Sequence, residues 1–227
     1  MSLHTPERAV ARRQREGVVD LPQACASAEA IDLVDLGWSE LQTSLTAKLS
    51  LLGVPGCGKS TGASGMVSVA AEVYGVMPLY MSVEEGTSQT ALARFERIAR
   101  QLGIPVPSGI LISDPRDVIE ADADLAAYER RLGGRRGFVV VDSVSDLRAP
   151  EGWWRSLLAS RHGVVLVEHV VTSGAAKGGL ETLFAVDTVI VVEQGGMATP
   201  VKSRWGQTGP DHAFDVHHPR LPRVEIG

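Results

Sequence analysis

Cysteine is scarce: only Cys25 and Cys57 occur in 227 residues, and neither has the spacing of a metal-ligand set or a redox pair. A cysteine metal site and a dithiol redox centre are therefore excluded, and both side chains are expected as free thiols in a reducing cytoplasm. Long apolar runs are missing too. No stretch approaches the roughly 20 residues of a membrane span, and the first residues lack the apolar core of a secretion signal, so the cytoplasm is the expected compartment. Basic residues are outnumbered, 22 Lys and Arg against 27 Asp and Glu, for a net charge of −5 and a pI near 5.7. That balance excludes a surface coated in positive charge, and any contact with nucleic acid has to be focused in a local channel. No repeat or low-complexity segment stands out. What is present is a 24.2 kDa chain with 44% hydrophobic residues, enough for one α/β domain with a sizeable core and short extensions.

The organising stretch is Lys48-Leu-Ser-Leu-Leu-Gly53-Val-Pro55-Gly56-Cys57-Gly58-Lys59-Ser60-Thr61, an apolar strand that runs into the spacing G-x-x-x-x-G-K-S. Gly53, Gly56 and Gly58 open backbone conformations closed to other residues, so that successive N–H groups point inward at phosphate oxygens. Lys59 then reaches the β- and γ-phosphates, and Ser60 offers its hydroxyl to Mg²⁺. Met66, Val69, Ala70, Val73 and Tyr74 follow at helical spacing, which sets a helix N-terminus against the anion. Gly62 and Gly65 are expected to let that helix approach the sheet. These residues predict a site for ATP and Mg²⁺, held by Gly53, Pro55, Gly56, Cys57, Gly58, Lys59, Ser60 and Thr61.

Elsewhere the pattern is of strands alternating with helices. Residues 1–30 carry Arg8, Arg12, Arg13 and Arg15 and read as an arm, either a solvated face or a segment that packs on a neighbouring subunit; residues 31–227 read as the main domain. An entry segment packs Leu33, Leu36 and Leu41. Pro78 to Val83 is a short apolar strand ending in Glu84-Glu85, and a helix from Thr87 to Leu102 follows. Ile110 to Ser113 is another strand, leading to Asp114 as an N-cap with Pro115 at the first helical position. Gly137-Phe-Val-Val-Val-Asp142 ends in a carboxylate expected to hold Mg²⁺ beside Ser60 from an adjacent strand. Pro150 to Arg161 reads as a helix, Gly163 to His169 as a buried strand ending in a polar pair, and 171–179, with Lys177, as a mobile loop. After a short helix, Asp187 to Glu193 is one more strand, and Met197 to Trp205 and Ala213 to His217 alternate as antiparallel strands do. Five strand-plus-helix units specify an α/β fold with a mostly parallel sheet flanked by helices and C-terminal antiparallel strands. In such sheets ligands bind at the C-terminal edge, which places Glu84 to polarise an attacking water, with Glu85 as its rival.

The chain resembles the RecA-like ATPases, closest to the RadA/Sms branch and the hexameric DnaB-type helicases. The resemblance is carried by Gly53 to Ser60, Leu79-Tyr-Met-Ser-Val-Glu84-Glu85, Gln89 to Ile98, Val139-Val-Val-Asp142-Ser143, Leu166-Val-Glu-His169, Val186-Asp187-Thr-Val and Val201-Lys202-Ser-Arg204-Trp-Gly206. It implies that Glu84 is the catalytic glutamate, His169 a γ-phosphate sensor, and Arg94 an arginine that approaches the adenine. It further implies that Lys202 and Arg204 act on the nucleotide of the adjacent subunit; an ion pair of Arg204 with Asp211 or Asp215 is the alternative. The zinc-binding and protease-like modules of RadA are missing. The implied function is ATP hydrolysis by a homo-oligomer, a hexameric ring moving on single-stranded DNA or RNA with Lys177 in the contact loop. A nucleotide-switched assembly or regulatory ATPase of the KaiC or recombinase-paralogue type is the second expectation.

Overall fold

The computed structural model describes residues 33–170 and 181–222. The arm at 1–30, Cys25 and Lys177 lie outside the described residues. A small antiparallel hairpin opens the described chain, β1 (Val34–Asp35) with β2 (Gln42–Thr43), and buries Leu36 and Leu41 while Leu33 stays exposed. The phosphate-loop strand β3 (Lys48–Gly53) and helix α1 (Lys59–Glu72) come next. Then β4 (Pro78–Ser82) leads to α2 (Gln89–Leu102), β5 (Leu111–Ser113) to α3 (Val118–Leu132), and β6 (Phe138–Asp142) to α4 (Val144–Leu147) and α5 (Glu151–Leu158). Last are β7 (Gly163–His169), α6 (Glu181–Ala185), β8 (Thr188–Val192), β9 (Met197–Ser203) and β10 (Phe214–Asp215).

Eight strands form one sheet in the order β10-β9-β8-β3-β7-β6-β4-β5. The six from β8 to β5 run parallel, and β9 and β10 close one side antiparallel. The inner parallel strands are buried on both faces, which explains why they read as apolar runs without alternation. On one face Leu49, Leu51, Tyr80, Val140 and Val165 pack with Met66 of α1 and Phe95 of α2. On the other, Leu79, Met81, Val141 and Leu166 meet Tyr128 of α3 and Trp154 of α5. Among the described residues no helix is long and apolar enough to cross a membrane.

Local chemistry sets the helix ends. The Ser88 hydroxyl accepts from the Ala91 N–H at the start of α2, and Gly103 closes it in the left-handed conformation. For α3 the cap is Asp117, whose carboxylate accepts from the N–H groups of Ile119 and Glu120, and not the expected Asp114. Asp-Pro reads equally well as a turn, and the later aspartate is the one followed by two free N–H groups and an acidic first turn. Two further expectations shift. Room at Gly65 is used by the Trp38 ring and not by the sheet, since a Cβ there lies 2.8 Å from the indole. And β6 is not adjacent to β3, because β7 runs between them.

Candidate nucleotide site

The loop after β3 is shaped by two glycines for two different reasons. Gly58 takes φ of 107°, the left-handed position from which α1 starts. Gly53 has ordinary dihedrals, but a Cβ there would lie 2.4 Å from the Val192 carbonyl oxygen and 2.5 Å from the Cys57 sulfur. Cys57 is thus a buried free thiol that packs under the loop. Lys59 is 3% exposed, and its ammonium donates to the carbonyls of Gly53 at 2.9 Å and Val54 at 2.8 Å. The cation is held inside the turn whose N–H groups would face an anion.

Above the loop opens a cleft of about 980 Å³, lined by Gly58, Lys59, Ser60, Glu84, Arg94 and His169 among others. The β3, β7, β6 and β4 ends stand side by side along it. Asp142 reaches the loop despite the intervening β7 because α1 packs across β3, β7, β6 and β4, which sets Ser60, in its first turn, next to the carboxylate. Asp142 is buried, and burial raises its carboxyl above the usual range against the lowering effects of the Tyr80 and Ser60 hydroxyls and of Arg94. Tyr80 donates to Oδ2 at 2.5 Å, while Oδ1 is buried with no hydrogen-bond partner among the described residues. An orphaned buried carboxylate oxygen beside a serine hydroxyl is a donor set for a hard divalent cation. The residues present fit Mg²⁺.

Glu84 and Glu85 are separated by their partners. Glu85 is taken by Arg94, which forms a two-oxygen ion pair with it. Burial works against the Arg94 charge, but Tyr80, Glu85 and Asp142 outweigh it and hold the guanidinium above its usual range. Arg94 lines the cleft and, without a nucleotide, is paired with Glu85. Glu84 is half exposed and its carboxylate lies 3.4 Å from Nε2 of His169. The same nitrogen is 3.2 Å from Asp146, whose carboxylate also accepts from Ser143. Glu84, Asp146 and His169 thus form one polar cluster, with ligand atoms within 4.8 Å of one another.

Lys202 and Arg204 are not in this cleft. Thr188 pairs with Ser203 and Val192 with Ala198, so the end of β9 that carries both cations lies at the opposite edge of the sheet from the phosphate loop. Lys202 donates to the carbonyls of Leu183, Phe184 and Val186 and caps α6, and partial burial lowers its pKa. Arg204 pairs with Asp187 at 2.9 Å, not with Asp211 or Asp215, because the Asp187 backbone pairs with Arg204 at the sheet edge. Several residues in and beside the cleft escaped the sequence reading, among them Asp146, Tyr80, Arg97 and His217. Asp146 carried a signal, the Ser143-x-x-Asp146 pattern of a helix start. Tyr80 carried a weaker one, since a phenol in a doubly buried strand needs a partner. Arg97, which donates to the Thr61 hydroxyl at 3.3 Å, and His217, which sits against Gly58 from beyond β10, carried none.

Fold and site together define a RecA-like P-loop α/β domain. Among solved structures the chain is similar to a KaiC-like protein of the hyperthermophilic archaeon Pyrococcus horikoshii OT3, with a TM-score of 0.58 and 18% identity over 79% of this chain and 92% of that one. That likeness establishes the RecA-like fold and does not single out the RadA or DnaB branch. No protein-family model and no curated protein sequence matches the chain.

Proposed function

We propose that the chain hydrolyses ATP with Mg²⁺, and that it does so as a homo-oligomer whose assembly or regulatory state is switched by the nucleotide. The observation that carries hydrolysis is the meeting, at one sheet edge, of the phosphate loop, the orphaned Asp142 oxygen and the Glu84–His169 contact. In this reading the loop N–H groups and Lys59 take the β- and γ-phosphates, Lys59 exchanging the Gly53 and Val54 carbonyls for phosphate oxygens. Ser60 and Asp142 would hold Mg²⁺, which when bound neutralises charge on the phosphate oxygens. Glu84 accepts a proton from the attacking water while the bond to the ADP oxygen breaks. Glu85, neutralised by Arg94, is the poorer base. His169 would present Nε2 to the γ-phosphate, the nitrogen that without substrate lies beside Glu84 and Asp146.

The KaiC-like character of the fold neighbour supports the switch reading at least as well as translocation. The motor reading keeps one observation of its own: His169 ends β7 only eight residues before Lys177, so a γ-phosphate sensor leads straight into the basic contact segment. Turnover measured with and without single-stranded DNA or RNA, together with particle mass with and without ATP, separates the two. A switch changes mass with nucleotide and ignores the strand; a ring motor is stimulated by it, and Lys177→Ala weakens that stimulation. Lys59→Ala should remove turnover in either case while the protein stays folded. Undiminished turnover would refute the site.

A further inference from the structure

We propose that Tyr80 is a positioning residue for the divalent-cation site, setting the Asp142 carboxylate so that one oxygen is occupied and the other is kept for the cation. The proposal rests on the Mg²⁺-dependent reading of the cleft and deepens it. Tyr80 lies in the middle of β4, next to β6, and is fully buried. Its ring is fixed by an edge-on contact with Phe95 of α2, the centroids 5.3 Å apart. A phenylalanine would fill the same space, so the hydroxyl is the only part of the side chain that packing does not require. That hydroxyl donates a hydrogen bond to Asp142 Oδ2 at 2.5 Å. Ser64 also lies against the phenol, and its own hydroxyl bonds the carbonyl of Ser60. One tyrosine thereby links the carboxylate on β6 to the turn of α1 that carries the other cation ligand.

The consequence for the carboxylate is geometric. An aspartate side chain can rotate, and a buried one with no partners has no reason to present either oxygen. With Oδ2 held by Tyr80, Oδ1 is left buried and without a hydrogen-bond partner among the described residues. The phenol cannot take the place of a cation at Oδ1, since its single proton is already spent on Oδ2. Arg94 adds positive charge nearby but bonds Glu85 and not Asp142, so it favours the ionised carboxylate without blocking it.

Tyr80→Phe tests this. Mn²⁺ serves as the probe, with free Mn²⁺ followed by its magnetic resonance signal in the presence of a non-hydrolysable ATP analogue. The variant is expected to bind Mn²⁺ about tenfold more weakly, the usual result of removing a group that orients a metal ligand. Its affinity for the analogue without metal, which a general disruption of the cleft would move, is expected to stay close to wild type. Asp142→Asn provides the second arm. If Tyr80 acts through Asp142, adding Tyr80→Phe to Asp142→Asn causes no further loss, and equal losses in both backgrounds overturn the proposal. Wild-type Mn²⁺ affinity in folded Tyr80→Phe overturns it as well and leaves the cation site standing. Wild-type protein that takes up no Mn²⁺ overturns the cation site and the Tyr80 role together.

Discussion

Arg204→Ala separates a cation that acts between subunits from one that only decorates a surface. Within its own chain the guanidinium sits at the far edge of the sheet, a length of β8 away from the phosphate loop, roughly 16 Å at about 3.3 Å per residue. It therefore has no route to its own nucleotide. Lys202, two residues earlier, is committed to three carbonyls at the end of α6 and just beyond it, which leaves Arg204 as the available cation of the pair. Its visible partner is Asp187, and the arginine side chain is 65% exposed. An ion pair that open to solvent contributes under about 1 kcal/mol, so a purely structural role leaves turnover within about fivefold of wild type. An arginine that meets a neighbour's γ-phosphate in the transition state is worth about 10³-fold or more. Two orders of magnitude lie between these outcomes. Asp187→Ala, which breaks the pair and keeps the arginine, should remain active if Arg204 works in trans. Mixing completes the assay: Lys59→Ala subunits, dead at their own site, should restore turnover to Arg204→Ala subunits by lending them an intact arginine. Absence of recovery at every mixing ratio, with co-assembly confirmed by mass, would refute action in trans and remove the main reason for expecting an oligomer.

Glu84→Gln should bind ATP and accumulate it unhydrolysed, since the amide keeps the shape and cannot accept a proton; Glu85→Gln should instead free Arg94 and weaken turnover less, and single-turnover assays that find the reverse order would exchange the two roles. Glu168→Gln is expected to stabilise the fold at neutral pH. Burial raises the Glu168 carboxyl, the Ser50 and Thr182 hydroxyls only partly offset this, and Oε2 has no partner among the described residues. A raised carboxyl binds its proton more tightly in the folded state, so the wild type loses stability as pH rises through the window between the unfolded and folded values. The gain from Gln, read as melting temperature against pH, should then be present at neutral and alkaline pH and shrink toward zero in acid; a gain that is constant with pH would refute the assignment to Glu168.

The fold was legible wherever one residue pattern had one structural use. Strands such as Phe138–Asp142 are buried on both faces and terminated by a charge, and they occur where the apolar runs placed them. The phosphate loop was legible because its spacing answers to the geometry of an anion and not to packing. Misreadings arose where two uses compete for one residue type. Asp114 and Asp117 are equally good caps on paper, and only the direction of the chain after Pro115 decides between them. Sheet order was not legible at all: that β7 would insert between β3 and β6 depends on long-range pairing, which leaves no trace in either strand's own residues. The partner of Arg204 was missed for the same reason, since Asp187 becomes its neighbour only through the β8–β9 pairing.

The cations of the cleft indicate where the proposed second subunit would act. Lys59 is set by the loop for the β- and γ-phosphates, and Arg94 is bound by Glu85. Arg97 and Arg100 also line the cleft, but they follow Arg94 along α2 in the direction away from Glu84 and Glu85, and at about 1.5 Å per residue Arg100 lies roughly 9 Å further on. Arg97 is moreover tied to Thr61, past the metal-side Ser60. Near Glu84, among the described residues, stand His169 and Asp146, an imidazole and one more carboxylate. Among the described residues, charge developing on the γ-phosphate during the proposed attack would thus meet one lysine, one imidazole and the cation that Ser60 and Asp142 would hold, on a side of the cleft crowded with carboxylates. A further positive group supplied from outside the chain lowers the barrier most where the chain's own supply is thinnest, and that place is the Glu84 edge.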